Sequence, residues 1–98
     1  MPAIMVTIGS FALEGAEHYA RYAAGALPLL EKAQVKLRER LRGHEALVGE
    51  DFPDLVAVLE FPDEVAMKSS FSSREYLALI PHRERAFKMI RTFSCDVL

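Results

Sequence analysis

From Ile4 to Phe11 the chain alternates with a period of two, yet it carries apolar or small side chains on both faces and no charge. Ile4, Val6 and Ile8 point one way, and Met5, Thr7 and Gly9 point the other. A strand of this kind belongs inside a sheet, with something covering each side. The sequence has 98 residues, enough for one domain with one modest core. The few remaining elements must therefore provide both the neighbouring strands and the cover.

From Leu13 to about Ala33 the spacing changes. Ala16, Tyr19, Ala20, Ala23, Leu27 and Leu30 recur at steps of three and four, which is one face of a helix. Gly25 and Pro28 predict a kink or break in its second half, because proline removes a backbone donor and crowds the preceding turn. Period two returns from Val35 to Leu41, with Val35, Leu37 and Leu41 on one face and the basic stripe Lys36, Arg38, Arg40 and Arg42 on the other. After a loop through Gly43, Gly49 and Pro53, the run Leu55 to Phe61 holds one charge and several β-branched residues, as an interior strand does. Asp63 is placed to cap a short helix through Met67. Ser72 and Glu75 have the spacing of a capping box that opens another helical piece, with Tyr76, Leu77 and Ile80 as its apolar stripe. Pro81 suits the first turn of a further helix, His82 to about Met89, and Ile90 to Val97 completes the set as a strand.

Strand, helix, strand, strand, helix, strand is the split β-α-β plan of the ferredoxin-like α+β class: one domain over residues 1–98, an antiparallel sheet, and helices on one face. The other face, expected to carry Met5 and Val58, then needs a lid. A second copy related by a two-fold axis is the simplest lid, so a homodimer is expected. Apolar residues make up 51% of the sequence, more than a small monomer needs to hide, which points the same way.

The net charge of −2 gives no overall attraction for nucleic acid or for an acidic membrane, so neither is expected as a partner. The single cysteine, Cys95, cannot form an intramolecular disulfide and reads as a small buried or half-buried hydrophobe near the end of the last strand. No leader pattern and no run of about 18 apolar residues occurs, so the chain is expected to be cytoplasmic.

The stretch Glu60-Phe61-Pro62-Asp63-Glu64-Val65-Ala66, followed by Ser73-Arg74-Glu75-Tyr76 and Arg83, resembles the domain-of-unknown-function family DUF1330, within the dimeric α/β-barrel superfamily. Tyr19 and Tyr22 in the first helix fit the same pattern, and the resemblance runs from about Thr7 to Arg83. It departs at the turn before the second strand, where a Tyr-Gly-Gly-like sequence is usual and this chain reads Glu31-Lys32-Ala33-Gln34. Phe71 and Pro81 also depart from the pattern. The resemblance implies a ferredoxin-like subunit and a barrel built from two sheets. Relatives in that superfamily include cofactor-free monooxygenases, isomerases, haem-degrading enzymes and ligand-binding regulators, and the fold does not choose among them. The haem-degrading and antibiotic-oxidising branches resemble one another in using Trp with Asn or His. This chain has neither Trp nor Asn, which counts against both, and no cofactor is expected.

Candidate chemistry rests on a few polar side chains. Glu60 is the single charge of the third strand, on the face with Val56 and Val58. It reads either as a general base raised by burial or as the partner of Arg83 in an ion pair tying strand to helix. His82 is either a proton shuttle or an exposed first-turn histidine. Arg83 can stabilise an enolate-like charge. Tyr22 and Tyr76 are candidate ligand contacts, or core residues with wet tips. His18 and His44 lack a second ligand at metal spacing, so both are expected to be solvent-exposed and no metal is expected. The basic stripe can attract an anion or guard an edge strand against mispairing. These residues support three readings: a binding protein for a small anionic or carbonyl-bearing metabolite, a cofactor-independent monooxygenase or isomerase, and a dimeric scaffold without a ligand. Pro2 adds a fourth, since an N-terminal proline is the base of the tautomerases, although the later motif belongs elsewhere.

Overall fold

The computed structural model describes residues 2–98, and it is a plate of 36 × 34 × 16 Å, thin enough for one sheet and one layer of helices. The elements are β1 (Ala3–Phe11), α1 (Ala16–Lys32), β2 (Lys36–Arg42), β3 (Leu55–Phe61), α2 (Glu64–Ser72), α3 (Arg74–Leu77), α4 (Ile80–Ala86) and β4 (Phe87–Cys95). The sheet is antiparallel, in the order β2-β3-β1-β4, so the uncharged β1 and the nearly uncharged β3 occupy its centre. This is the expected ferredoxin-like α+β arrangement.

The pleat sorts the side chains. Ala3, Met5, Leu59 and Phe61 point toward the helices and, with Met67 of α2, form the buried core. Met5 therefore lies under the helices and not on the open face where it was expected. Its direct partner across the ladder is Leu59, and both are buried. Ile4, Val6, Ile8, Val56 and Val58 make up the open face, and no helix among the described residues lies over them.

Elsewhere the structure corrects local expectations. α1 runs unbroken through Pro28. The carbonyl that loses its donor there belongs to Ala24, which is exposed and can bond water instead. The serine that caps α3 is Ser73, whose hydroxyl accepts the Tyr76 N–H at 3.2 Å, while the Ser72 hydroxyl turns back to the Lys68 carbonyl at 3.1 Å. α4 ends at Ala86, three residues earlier than its helical pattern suggests. Phe87 is claimed by the sheet, where it pairs with Phe11 and stacks on its ring at 5.2 Å between centroids. Gly9 leaves the space for that ring, since a Cβ at Gly9 would sit 2.9 Å from it.

The largest correction concerns β2. A bulge between Leu37 and Glu39 inserts Arg38 as an extra residue, so the alternation slips by one. The basic stripe is split. Arg38 stays on the open side, whereas Arg40 and Arg42 pair opposite Ala57 and Leu55 and turn to the helix side, and Leu41 moves to the open face opposite Val56.

Gly15 and Gln34 are among the positions where the backbone is tight or strained. Gly15 opens α1 where a Cβ would stand 2.6 Å from the Ala86 carbonyl oxygen. At the turn leading into β2, Gln34 adopts a φ of 58°, a left-handed conformation in which glycine is usual. Thermal melts should accordingly show Gly15→Ala destabilised by about 1–3 kcal/mol through overpacking. Gln34→Gly should come out stabilised by up to about 1 kcal/mol.

Candidate functional site

α1 leans chiefly on α4 and stands away from the strands beneath it, leaving a cavity of about 350 Å³ between the helix layer and the sheet. Its walls are apolar, built from Leu27, Leu55, Ala57, Ile90 and their neighbours. An arc of aromatic rings closes one side. Phe71 meets Tyr76 at 4.9 Å, Tyr76 meets Tyr22 at 6.1 Å, Tyr22 meets Phe87 at 6.4 Å, and Phe87 meets Tyr19 at 5.7 Å, each edge to face.

Polar groups enter this apolar setting as a hydrogen-bonded chain. The Tyr22 and Tyr76 hydroxyls are 2.9 Å apart, and Arg83 Nη1 donates to the Tyr76 hydroxyl at 3.1 Å. Its Nη2 donates to Glu84 at 3.0 Å. α1 supplies Tyr22, α3 supplies Tyr76 and α4 supplies Arg83, so three helices meet in one chain of three side chains. Burial pushes the Tyr22 phenol far above the ordinary tyrosine range, and the hydrogen bond to Tyr76 pushes it further. Burial works against the charge on Arg83, but its bonds to Glu84 and Tyr76 more than offset that and hold the guanidinium above its usual value. Tyr22 is therefore a neutral donor, and Arg83 polarises the chain from its far end. Either hydroxyl can be the donor of the Tyr22–Tyr76 bond; in the arrangement in which Tyr76 donates, the Tyr22 O–H is free to donate to a ligand oxygen.

Three of the five sequence-derived candidates, Tyr22, Tyr76 and Arg83, thus come together. Glu60 does not join them. It lies on the open sheet face, directly opposite Ile4, with its side chain 13% exposed, and it accepts hydrogen bonds from Arg38, whose Nε is 3.1 Å away. The expected Glu60–Arg83 pair is replaced by Glu60–Arg38 because Glu60 and the helices are on opposite sides of the sheet and the bulge keeps Arg38 on the same side as Glu60. His82 is half-buried and packs against His18 with ring centroids 5.8 Å apart, and the Nδ1 atoms of both are buried without a partner. His18 is thus not the solvent-exposed residue expected, whereas His44 is exposed. Neither His82 nor Glu60 lines the cavity. Among the described residues no three His, Cys, Asp or Glu side chains gather as a metal cage requires.

Sequence reasoning passed over three contributors. Thr7 and Thr92 face each other across β1 and β4, with hydroxyls 2.9 Å apart, at the floor of the cavity. A threonine on a helix-facing strand position looks like any β-former. Tyr19, noted for family resemblance, accepts a hydrogen bond from Arg40 at 2.7 Å, a contact that exists because of the bulge.

Residues 6–93 match the family described as Domain of unknown function (DUF1330). No curated protein matches the chain. Among solved structures it is similar to a protein of unknown function from Rhodopseudomonas palustris, with 23% identity and a TM-score of 0.85 over 99% of this chain and 82% of that one. It is also similar to a dimeric ferredoxin-like protein of unknown function from Jannaschia sp., at 10% identity, TM-score 0.75, and 99% and 100% coverage. SnoaB, a cofactor-independent oxygenase from Streptomyces nogalater, is similar at 11% identity, TM-score 0.68, and 98% and 92% coverage. At these identities the likeness is one of fold. No helix among the described residues is long and apolar enough to cross a membrane.

The raised phenol has a pH consequence. A tyrosine whose folded pKa exceeds its unfolded value of about 10 stabilises the fold fully below that pH and loses the contribution as pH rises beyond it. An ultraviolet titration of the native protein should therefore show one phenol that stays protonated well above pH ~10. Tyr22→Phe should remove that phenol and flatten the alkaline fall in stability.

Proposed function

The chain belongs to the DUF1330 family, and from that premise we propose that it acts as a homodimer that binds a small carbonyl-bearing or anionic metabolite in the cavity between sheet and helices. The supporting observation is the Arg83–Tyr76–Tyr22 chain, a polarised donor on the wall of an otherwise apolar cavity. Sites of this size and character, mostly apolar with a few convergent polar groups, are those that hold small molecules. A ligand oxygen reaching Tyr22 gains a hydrogen bond, while the rest of the ligand gains by leaving water.

The enzyme reading, a cofactor-independent monooxygenase or isomerase, draws on the fold shared with SnoaB and on the same hydroxyl chain, which would serve as an oxyanion donor. It also needs a base. The residues lining the cavity include no carboxylate or imidazole, so proton abstraction by Glu60 or His82 would require a ligand reaching beyond these walls. Binding therefore accounts for the geometry more directly than turnover does. Pro2, exposed ahead of β1, does not line this cavity, so the tautomerase reading gains no support from the geometry.

The dimer rests on area and shape. The chain exposes 7206 Å², against about 5,600 Å² for a compact monomer of this mass. Exposed apolar side chains occur on the bare sheet face, the 43–54 loop and the C-terminal residues, among them Leu41, Leu47, Val48, Phe93 and Val97. A partner sheet laid over Val6, Val58 and their neighbours would hide the apolar side chains of this face. That face would then be the interface, with the Glu60–Arg38 pair at its margin. Val58→Asp places a carboxylate in its middle and should convert the dimer to a monomer in sedimentation velocity, with a lower melting temperature. An unchanged dimer would remove this face as the interface.

The ligand reading is tested with benzylacetone, an apolar methyl ketone. Isothermal titration should show saturable binding to the wild type that weakens roughly 3- to 10-fold in Tyr22→Phe, the worth of one neutral hydrogen bond. Equal affinity in the two proteins would contradict the donor role of Tyr22.

A further inference from the structure

Arg40 is the one charged residue among those lining the apolar cavity, and among the described residues it has no carboxylate partner. Its single side-chain hydrogen bond goes to the Tyr19 hydroxyl, at 2.7 Å. The same two residues line a second, outer cleft of about 610 Å³, formed with Phe11, Glu14, Arg42 and Asp54. Tyr19 and Arg40 therefore stand where the two spaces adjoin. Of the acidic groups on the outer cleft, Asp54 is engaged by the Phe11 N–H at 2.9 Å, and Glu14 is exposed in the turn before α1. Neither forms an ion pair with Arg40.

An arginine on an edge strand ordinarily points its charge to solvent and guards the edge. Here the extra residue at Arg38 rotates Arg40 to the helix side, opposite Ala57 on the cavity floor. Bulges that re-aim a side chain in this way accompany binding sites. An unpaired guanidinium at the mouth of an apolar chamber has one natural complement, a carboxylate held by charge-assisted hydrogen bonds. The carboxylate stays at the wet mouth and so keeps most of its hydration.

We propose that Arg40, steadied by Tyr19, is the carboxylate anchor of the cavity, and that its ligands are small monocarboxylates with an apolar body and a carbonyl group inside. This rests on the ligand reading above and narrows it. The carboxylate meets Arg40 at the mouth, the body fills the space between Leu27, Leu55 and Ile90, and the carbonyl oxygen accepts from Tyr22.

The test uses benzoylpropionate and its methyl ester, which share the aryl ketone and differ in the negative charge. In the wild type the acid should bind about tenfold more tightly than the ester, the lower end for a charge-assisted hydrogen bond at a partly exposed site. Arg40→Gln should erase that preference, and Arg40→Lys should restore part of it. Arg40 is exposed, so both variants should fold, and unchanged melting checks this. Equal binding of acid and ester by the wild type, or a preference that survives Arg40→Gln, overturns the anchor while leaving the cavity reading standing. Binding of neither probe overturns both.

Discussion

The hydrogen bond between the Tyr22 and Tyr76 hydroxyls, with Arg83 behind it, organises the helix layer. Through it α1, α3 and α4 are tied to one another, while Tyr19 and Tyr22 of α1 reach the sheet at Arg40 and Phe87. The dense core of Met5, Leu59, Phe61 and Met67 supports one end of this layer, and the rings of Phe11, Tyr19 and Phe87 support the other. What lies between is a roofed space with hydroxyls on its roof, at Tyr22 and Tyr76, and on its floor, at Thr7 and Thr92.

A second constraint acts on the sheet. With two central strands apolar on both faces and helices enough for one, the chain has a bare side that it does not cover itself. The bulge in β2 serves both sides at once. It leaves Arg38 beside Glu60 on the bare face, where the pair neutralises the single carboxylate of β3, and it sends Arg40 beneath the helices to Tyr19. One inserted residue thus assigns one arginine to an ion pair and another to the cavity.

Most of the architecture could be read from the sequence because it follows from periodicity. The double-sided strand at Ile4 to Phe11, the three-four spacing of Ala16 to Leu30 and the uncharged run at Leu55 each announce themselves within one element. Contacts between elements could not be read so well. Pairing Glu60 with Arg83 was reasonable on charge alone, but whether a strand residue faces the helices depends on its pleat parity, and whether Arg38 can reach it depends on a bulge. The bulge leaves no mark in Lys36-Leu37-Arg38-Glu39-Arg40, where either alternation is plausible. Met5 was assigned to the open face because β1 is apolar on both sides, so composition could not tell one side from the other. Tyr22 and Tyr76 stand out in the sequence because aromatic hydroxyls on helix stripes are few. Their partnership, across 54 residues of chain, required the structure.

The claim that Tyr22 presents a polarised O–H to a ligand oxygen is tested most directly by the infrared carbonyl stretch of bound benzylacetone. Hydrogen bonding weakens the C=O bond, so the stretch should fall below its value in hydrocarbon when the ketone binds the wild type. It should return toward that value in Tyr22→Phe. A bound ketone whose stretch in the wild type already equals that in hydrocarbon would contradict the assignment, because the ligand would then sit in the cavity without touching the hydroxyl chain.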